Sequence, residues 1–223
     1  CLKEEFIPPF LFGVTMPKSA MPPEAKPRVM IFVDFWNYEL TMKQLDSSFL
    51  TDWFKLPGVL TQEASKVFDN TLHYERCFIF GSYDPASPKD AKLHSWSTNI
   101  LSKIPGVQAS FMARQKRKRG PQCTGDEHHE IKECPMCHAS MLGTQEKGVD
   151  TQIATEMLDM AYSDHCDVIV LVSADRDFIP AVKKLLTRNI KVIHAFFPNY
   201  GHELAAASWG SFNLFEVREQ FRR

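Results

Sequence analysis

Two short apolar runs, residues 29–33 (Val-Met-Ile-Phe-Val) and 168–172 (Val-Ile-Val-Leu-Val), contain no polar residue, and each gives way to aspartate within three positions. A strand with one face in water alternates apolar and polar residues. An unbroken apolar run of this length therefore belongs to a strand covered on both faces, as in a parallel sheet between two helical layers. Further strands are expected at 76–83, 107–112 and 191–197, with a short last one at 212–217. Helical spacing runs through 46–70, with a break expected at Pro57-Gly58, then through 88–103, 149–162 and 178–188. Strands alternating with helices predict an α/β three-layer sandwich with a mostly parallel central sheet, spanning 28–223. Residues 1–27 are interrupted by Pro8, Pro9, Pro17, Pro22 and Pro23. They are expected to form an extended arm and not a cleavable leader. No apolar run approaches the ~20 residues needed to cross a bilayer.

One segment, 114–146, does not fit this alternation and is too long for a simple connection. It opens with a basic run, Arg114, Lys116, Arg117, Lys118 and Arg119, in a chain of 26 basic and 27 acidic residues, so that the rest of the chain is acidic. An acidic body with one basic strip can hold a polyanion locally. As a basic run alone it fits a solvated loop equally well. The segment continues with Cys123, His128, His129, Cys134 and Cys137, with His138 beside them. A C-x2-C pair preceded by one cysteine and one histidine has the composition of a closed tetrahedral Zn²⁺ shell, a structural site. Either His128 or His129 can complete it. Clustering of cysteine with histidine, in place of cysteines spread through the chain, points to metal over disulfides and to a reducing compartment, the cytoplasm. Cys77 and Cys166 sit in or beside apolar runs and are expected to be buried.

Carboxylates supply the chemistry. Asp34 ends the first strand, Asp175 follows the strand at 168–172 with Asp177 two residues on, and Asp150 stands where a helix begins. In open parallel sheets the ligand crevice lies beyond the carboxyl ends of the strands. Each aspartate has a plainer explanation as a helix cap or turn residue. Together, without Lys or Arg beside each, they would repel, so either some protonate or a divalent cation sits among them. Mg²⁺ and Mn²⁺ favour such oxygen donors. His94 and His194 are expected to be structural.

The segments VMIFVDFWNYEL and EKGVDTQIATEMLDMA, followed by DVIVLVSADRDFIPAVKKL, resemble the NYN domain family, a PIN-like group of metal-dependent nucleases, in its LabA-like branch. The resemblance implies a PIN-like sandwich whose carboxylate cluster binds Mg²⁺ or Mn²⁺ and cuts RNA, single-stranded or structured. Carried onto this chain, it implies Asp34 and Asn37 in the first motif, Asp150 in the Gly-Val-Asp, and Ser173, Asp175 and Asp177 in the third. Ala174 stands where glycine is commoner. Asp34, Asp150 and Asp175 would be the principal metal ligands. Asp177 would be a further ligand or orient water, and Ser173 would hydrogen-bond a carboxylate. The basic run would bind substrate phosphates. The expected function is an endoribonuclease. The alternatives are a non-cleaving PIN-like module for RNA or protein, and a toxin or defence nuclease held silent by an inhibitory partner. A homodimer is compatible with each.

Overall fold

A computed structural model describes residues 26–117, 120, 122, 123 and 126–223. Of the arm expected at 1–27, residues 1–25 lie outside the described residues. The order of the first half is β1 (Arg28–Asp34), α1 (Phe35–Leu45), α2 (Leu56–Phe68), β2 (His73–Tyr83), α3 (Pro88–Asn99) and β3 (Val107–Ala113). Four short strands follow, β4 (Gln115–Lys116), β5 (Gln122–Cys123), β6 (Asp126–Glu130) and β7 (Thr144–Gln145). The second half comprises α4 (Val149–Tyr162), β8 (Val168–Val172), α5 (Ile179–Leu186), β9 (Lys191–Phe196), α6 (His202–Ala207) and β10 (Gly210–Asn213).

Six strands form one sheet in the order β10-β9-β8-β1-β2-β3. Every neighbouring pair in it is parallel. The sheet grows from β1 in one direction through β2 and β3, then restarts at β8 on the other side of β1. Parallel crossovers are right-handed, so reversing the direction of growth moves the connecting helices to the opposite face. Accordingly α1, α2 and α3 cover one face, and α4, α5 and α6 cover the other. The runs that are apolar throughout divide between these layers. Val29, Ile31, Val33, Val168, Val170 and Val172 face α1–α3. Met30, Phe32, Ile169 and Leu171 face α4–α6. On the α4 side Phe32 stacks on Phe78 across β1–β2, with ring centroids 5.0 Å apart, and Phe78 on Phe80 at 6.2 Å. Cys77 and Cys166 are buried free thiols, as their apolar neighbours indicate.

Three boundaries differ from expectation. The helical stretch expected at 46–70 narrows to α2, Leu56–Phe68, and a helix that the spacing did not mark, α1, precedes it. That first helix starts directly after β1 because Asp34 caps it, and it stops at Asp46, which is extended. Pro57, expected to mark a break, instead lies in the first turn of α2, where its missing N–H is not needed. The last strand occupies Gly210–Asn213 only. Asn213 then accepts the Phe215 N–H and starts a 3₁₀ helix, Leu214–Phe221, which carries Leu214 and Phe221 into the core. Among the described residues no helix is long and apolar enough to cross a membrane.

Candidate active site

The sheet changes direction of growth between β1 and β8, and a crevice opens at such a switch point beyond the carboxyl ends of both strands. Asp34 stands at that point. It is the last residue of β1, with only 6% of its surface exposed. One carboxylate oxygen accepts the Asn37 N–H at 3.3 Å and so caps α1; the other accepts the Ser173 hydroxyl at 3.2 Å. Ser173, Ala174 and Asp175 form the turn leaving β8. The Asp175 N–H donates to Ser173 Oγ at 3.1 Å, and the Ala174 N–H donates to Asn37 Oδ1 at 2.8 Å. Asp175 Oδ1 accepts the Asp177 N–H at 2.9 Å, which starts a short 3₁₀ helix, Arg176–Phe178. Asp34, Asn37, Ser173 and Asp175 thus form one hydrogen-bonded net joining the ends of two central strands.

Asp150 arrives from the other side. The residue before α4 is Gly148, in the left-handed region at φ 85°, and it makes no side-chain cap. Asp150 lies one residue inside the helix, so the cap explanation does not apply to it. It sits beside the N-terminal end of α4, where the helix dipole favours negative charge. Its pKa is nonetheless raised, by burial first and then by Asp175, Glu146 and Asp177. Asp34 is pushed up to about 7: burial is the main cause, and the charges of Asp150 and Glu146 add to it, against the hydrogen bonds from Asn37 and Ser173. The four aspartates singled out in sequence therefore share one electrostatic environment.

Glu146 is the member that sequence reasoning missed. It lies in the return stem of the 114–146 segment, and Ser82, a buried residue on β2, donates its hydroxyl hydrogen to the Glu146 carboxylate. The same Ser82 oxygen accepts the Arg114 Nε–H at 2.9 Å. The Arg114 guanidinium lies over the Trp36 ring, 5.3 Å from its centroid, and the Trp36 indole N–H donates to the Ser82 carbonyl at 2.7 Å. The first residue of the basic run is therefore fixed at the border of the acidic crevice. Lys116 and Arg117 are exposed at the antiparallel stem formed by β4 and β7. Lys118 and Arg119 lie outside the described residues.

The donors fit a hard cation: they are carboxylate oxygens that repel one another, and no neighbouring lysine or arginine among the described residues lowers the pKa of Asp34 or Asp150. As the side chains lie, no group of three or more His, Cys, Asp or Glu converges to hold a metal ion among the described residues. In the 114–146 segment, Cys134 and Cys137 flank a tight turn in which the His138 N–H donates to the Cys134 carbonyl at 2.9 Å. Backbone N–H groups of Cys137 and Met136 hold the Cys134 thiol below its ordinary pKa. The side chains of Cys123, His128 and His129 lie outside the described residues. A zinc-bound minidomain is thus an expectation that the described residues do not show. His94 stacks on Tyr83, centroids 4.2 Å apart.

The model of the NYN domain family matches residues 28–210. The chain belongs to the NYN family. NYN domains are generally nucleases, and in this NYN chain the matched span includes all four aspartates. The fold is similar to that of a protein of unknown function from Vibrio parahaemolyticus, at 19% identity and a TM-score of 0.57, covering 91% of this chain and 100% of that one. No curated protein matches the chain.

Proposed function

We propose that this NYN domain is a divalent-metal-dependent endoribonuclease, with the LabA-like branch as its nearest pattern. The observation that carries the reading is the buried strand-end carboxylate Asp34, raised to about 7 beside Asp150 and Glu146 at the switch point of the sheet. An acid so placed stabilises nothing as a charge unless a cation joins it. Asp34, Asp150 and Asp175 would hold Mg²⁺ or Mn²⁺, with Asp177 as a further ligand or orienting a water. The ion, when bound, would acidify that water and offset charge on the scissile phosphate. Asn37 and Ser173 keep Asp34 and the Asp175 turn in register through the bonds described above. Arg114, Lys116, Arg117, Lys118 and Arg119 would neutralise substrate phosphates and hold RNA across the crevice, a sequence-independent contribution that weakens with salt.

The 114–146 segment would be a minidomain closed by Zn²⁺ on Cys123, Cys134, Cys137 and one of His128 and His129. The turn that lowers the Cys134 thiol pKa supports this, because the thiolate is the ligating form. Free thiols at Cys77 and Cys166 suit a reducing compartment such as the cytoplasm.

Cleavage of end-labelled RNA with Mg²⁺ or Mn²⁺, and again with EDTA, tests the reading. The wild type should cut only with the cation, and Asp34→Asn and Asp175→Asn should each lose cutting while still binding RNA. Full activity in both variants would sink the assignment. RNA bound but never cut by the wild type would favour a non-cleaving module.

A further inference from the structure

We propose that His194 is a positioning residue of the acidic site, acting through the Ser173–Ala174 peptide. The proposal rests on the nuclease reading and names a residue outside the family motifs. His194 lies on β9 opposite Leu171 of β8 and has no exposed surface. Its Nε2 is 2.6 Å from the Ser173 carbonyl oxygen. A carbonyl only accepts, so Nε2 carries the hydrogen. Nδ1 is buried with no partner among the described residues. A buried nitrogen left bare costs stability, and leucine would fill a similar space without that cost. The retained imidazole is accounted for by the one bond it does make.

That bond acts on a peptide group held at both ends. The C=O of Ser173 accepts from His194 on β9, while the N–H of the same peptide, on Ala174, donates to Asn37 Oδ1 on α1 at 2.8 Å. Rotation of this plane would swing the Ser173 hydroxyl away from Asp34 and the Asp175 N–H away from Ser173 Oγ. Both contacts belong to the acidic net. The imidazole has little room to move. Gly201 has φ +75°, and a Cβ built there would lie 2.9 Å from His194 Cε1 and 3.2 Å from the Ala174 Cα. The wall behind the turn is thus closed by a residue without a side chain.

The test uses His194→Gln, whose amide N–H sits the same number of bonds from the backbone as Nε2, together with His194→Leu and Gly201→Ala. Mn²⁺ affinity is measured without RNA by electron paramagnetic resonance, kcat and KM on RNA at saturating Mn²⁺, and thermal unfolding as a control. Partners of metal ligands typically contribute about 10–100-fold in affinity or activity, and that is the loss expected in His194→Leu for both Mn²⁺ binding and kcat, with KM for RNA little changed. His194→Gln should recover most of both. Gly201→Ala should lose part of both with the imidazole still present, which keeps the test alive if His194→Leu does not fold. A folded His194→Leu with wild-type Mn²⁺ affinity and kcat overturns the proposal, and so does a His194→Gln as impaired as the leucine variant. A wild type that cuts no RNA defeats the nuclease reading separately, while the Mn²⁺ comparison still decides the role of His194.

Discussion

Replacing Asp34 with asparagine should stabilise the metal-free protein at neutral and alkaline pH, although it removes a helix cap carboxylate from the centre of the fold. Asp34 rises from 3.8 to about 7, chiefly through burial. Its ionised form is therefore about 4 kcal/mol worse off in the folded chain than in the unfolded one, at 1.36 kcal/mol per pH unit. Relaxation around the charge recovers part of this, leaving about 2 kcal/mol as a working figure, or about 4–8 °C in Tm for a chain of this size. Asparagine is neutral and isosteric, and its carbonyl oxygen can still accept from the Asn37 N–H or the Ser173 hydroxyl. The direction with pH follows from the raised value. Below 3.8 Asp34 is protonated in both states and its favourable contribution is complete. As pH rises through the folded value of about 7 that contribution is lost. The Asp34→Asn variant lacks this loss. Thermal unfolding in EDTA should give nearly equal Tm values at pH 4 and a higher Tm for the variant at pH 8. Adding Mn²⁺ at pH 8 should reverse the order, because only the wild type gains by binding. A variant as destabilised at pH 8 as at pH 4 would refute the reasoning and make Asp34 an ordinary cap.

Elemental analysis of protein purified without chelator should find about one Zn²⁺ per chain. Cys134→Ser with Cys137→Ser should lose it and speed amide exchange within 114–146, leaving the central strands protected; protein free of zinc before mutation counts against the site. Neutralising Lys116, Arg117, Lys118 and Arg119 should raise KM for RNA and reduce the salt slope of binding by as much as about 3 for a single strand, with kcat on a short substrate nearly unchanged. An unchanged slope would leave the run a solvated loop. Phe32→Ala should cost about 3–5 kcal/mol by chemical denaturation, because it empties the stacked phenylalanine layer between β1 and β2; a cost below 1 kcal/mol would show that the layer collapses freely.

Much of the sheet was legible because its central strands are covered on both faces, which leaves the run at Val168–Val172 apolar throughout. The start of α1 was not. Its buried positions Phe35, Tyr38 and Met42 are correctly spaced for a helix, but the residue that starts it is also the residue that ends β1. A strand that turns into a helix with no loop leaves no turn residues to read. The four aspartates could be singled out as candidates because strand ends and helix starts are local features, and the structure gives them a shared electrostatic environment. Glu146 could not be, because it is brought to the crevice by the fold of a long segment and by a bond to Ser82, 64 residues earlier in the chain. His194 carried no signal of its kind either: one histidine in an apolar strand reads the same whether it fills space or holds a carbonyl.

The two halves of the carboxylate set are anchored in different ways, and this bears on what the inserted segment does. Asp34 and Asp175 belong to β1 and β8, the centre of the sheet, and share the net through Ser173. Asp150 and Glu146 stand on either side of Gly148, where the chain leaves the stem formed by β4 and β7 and enters α4. That stem is tied to the sheet by Thr144 donating to Asp84 at 3.1 Å, by Ser82 donating to Glu146, and by Arg114 donating to Ser82. The segment therefore touches Glu146 and leads into Asp150 through its return strand, and it touches β2 and α1 directly through Arg114, which meets Ser82 and Trp36. In this arrangement the sheet supplies a fixed half of the site. The insert, which also carries the basic run, supplies Glu146 and leads through Gly148 into Asp150.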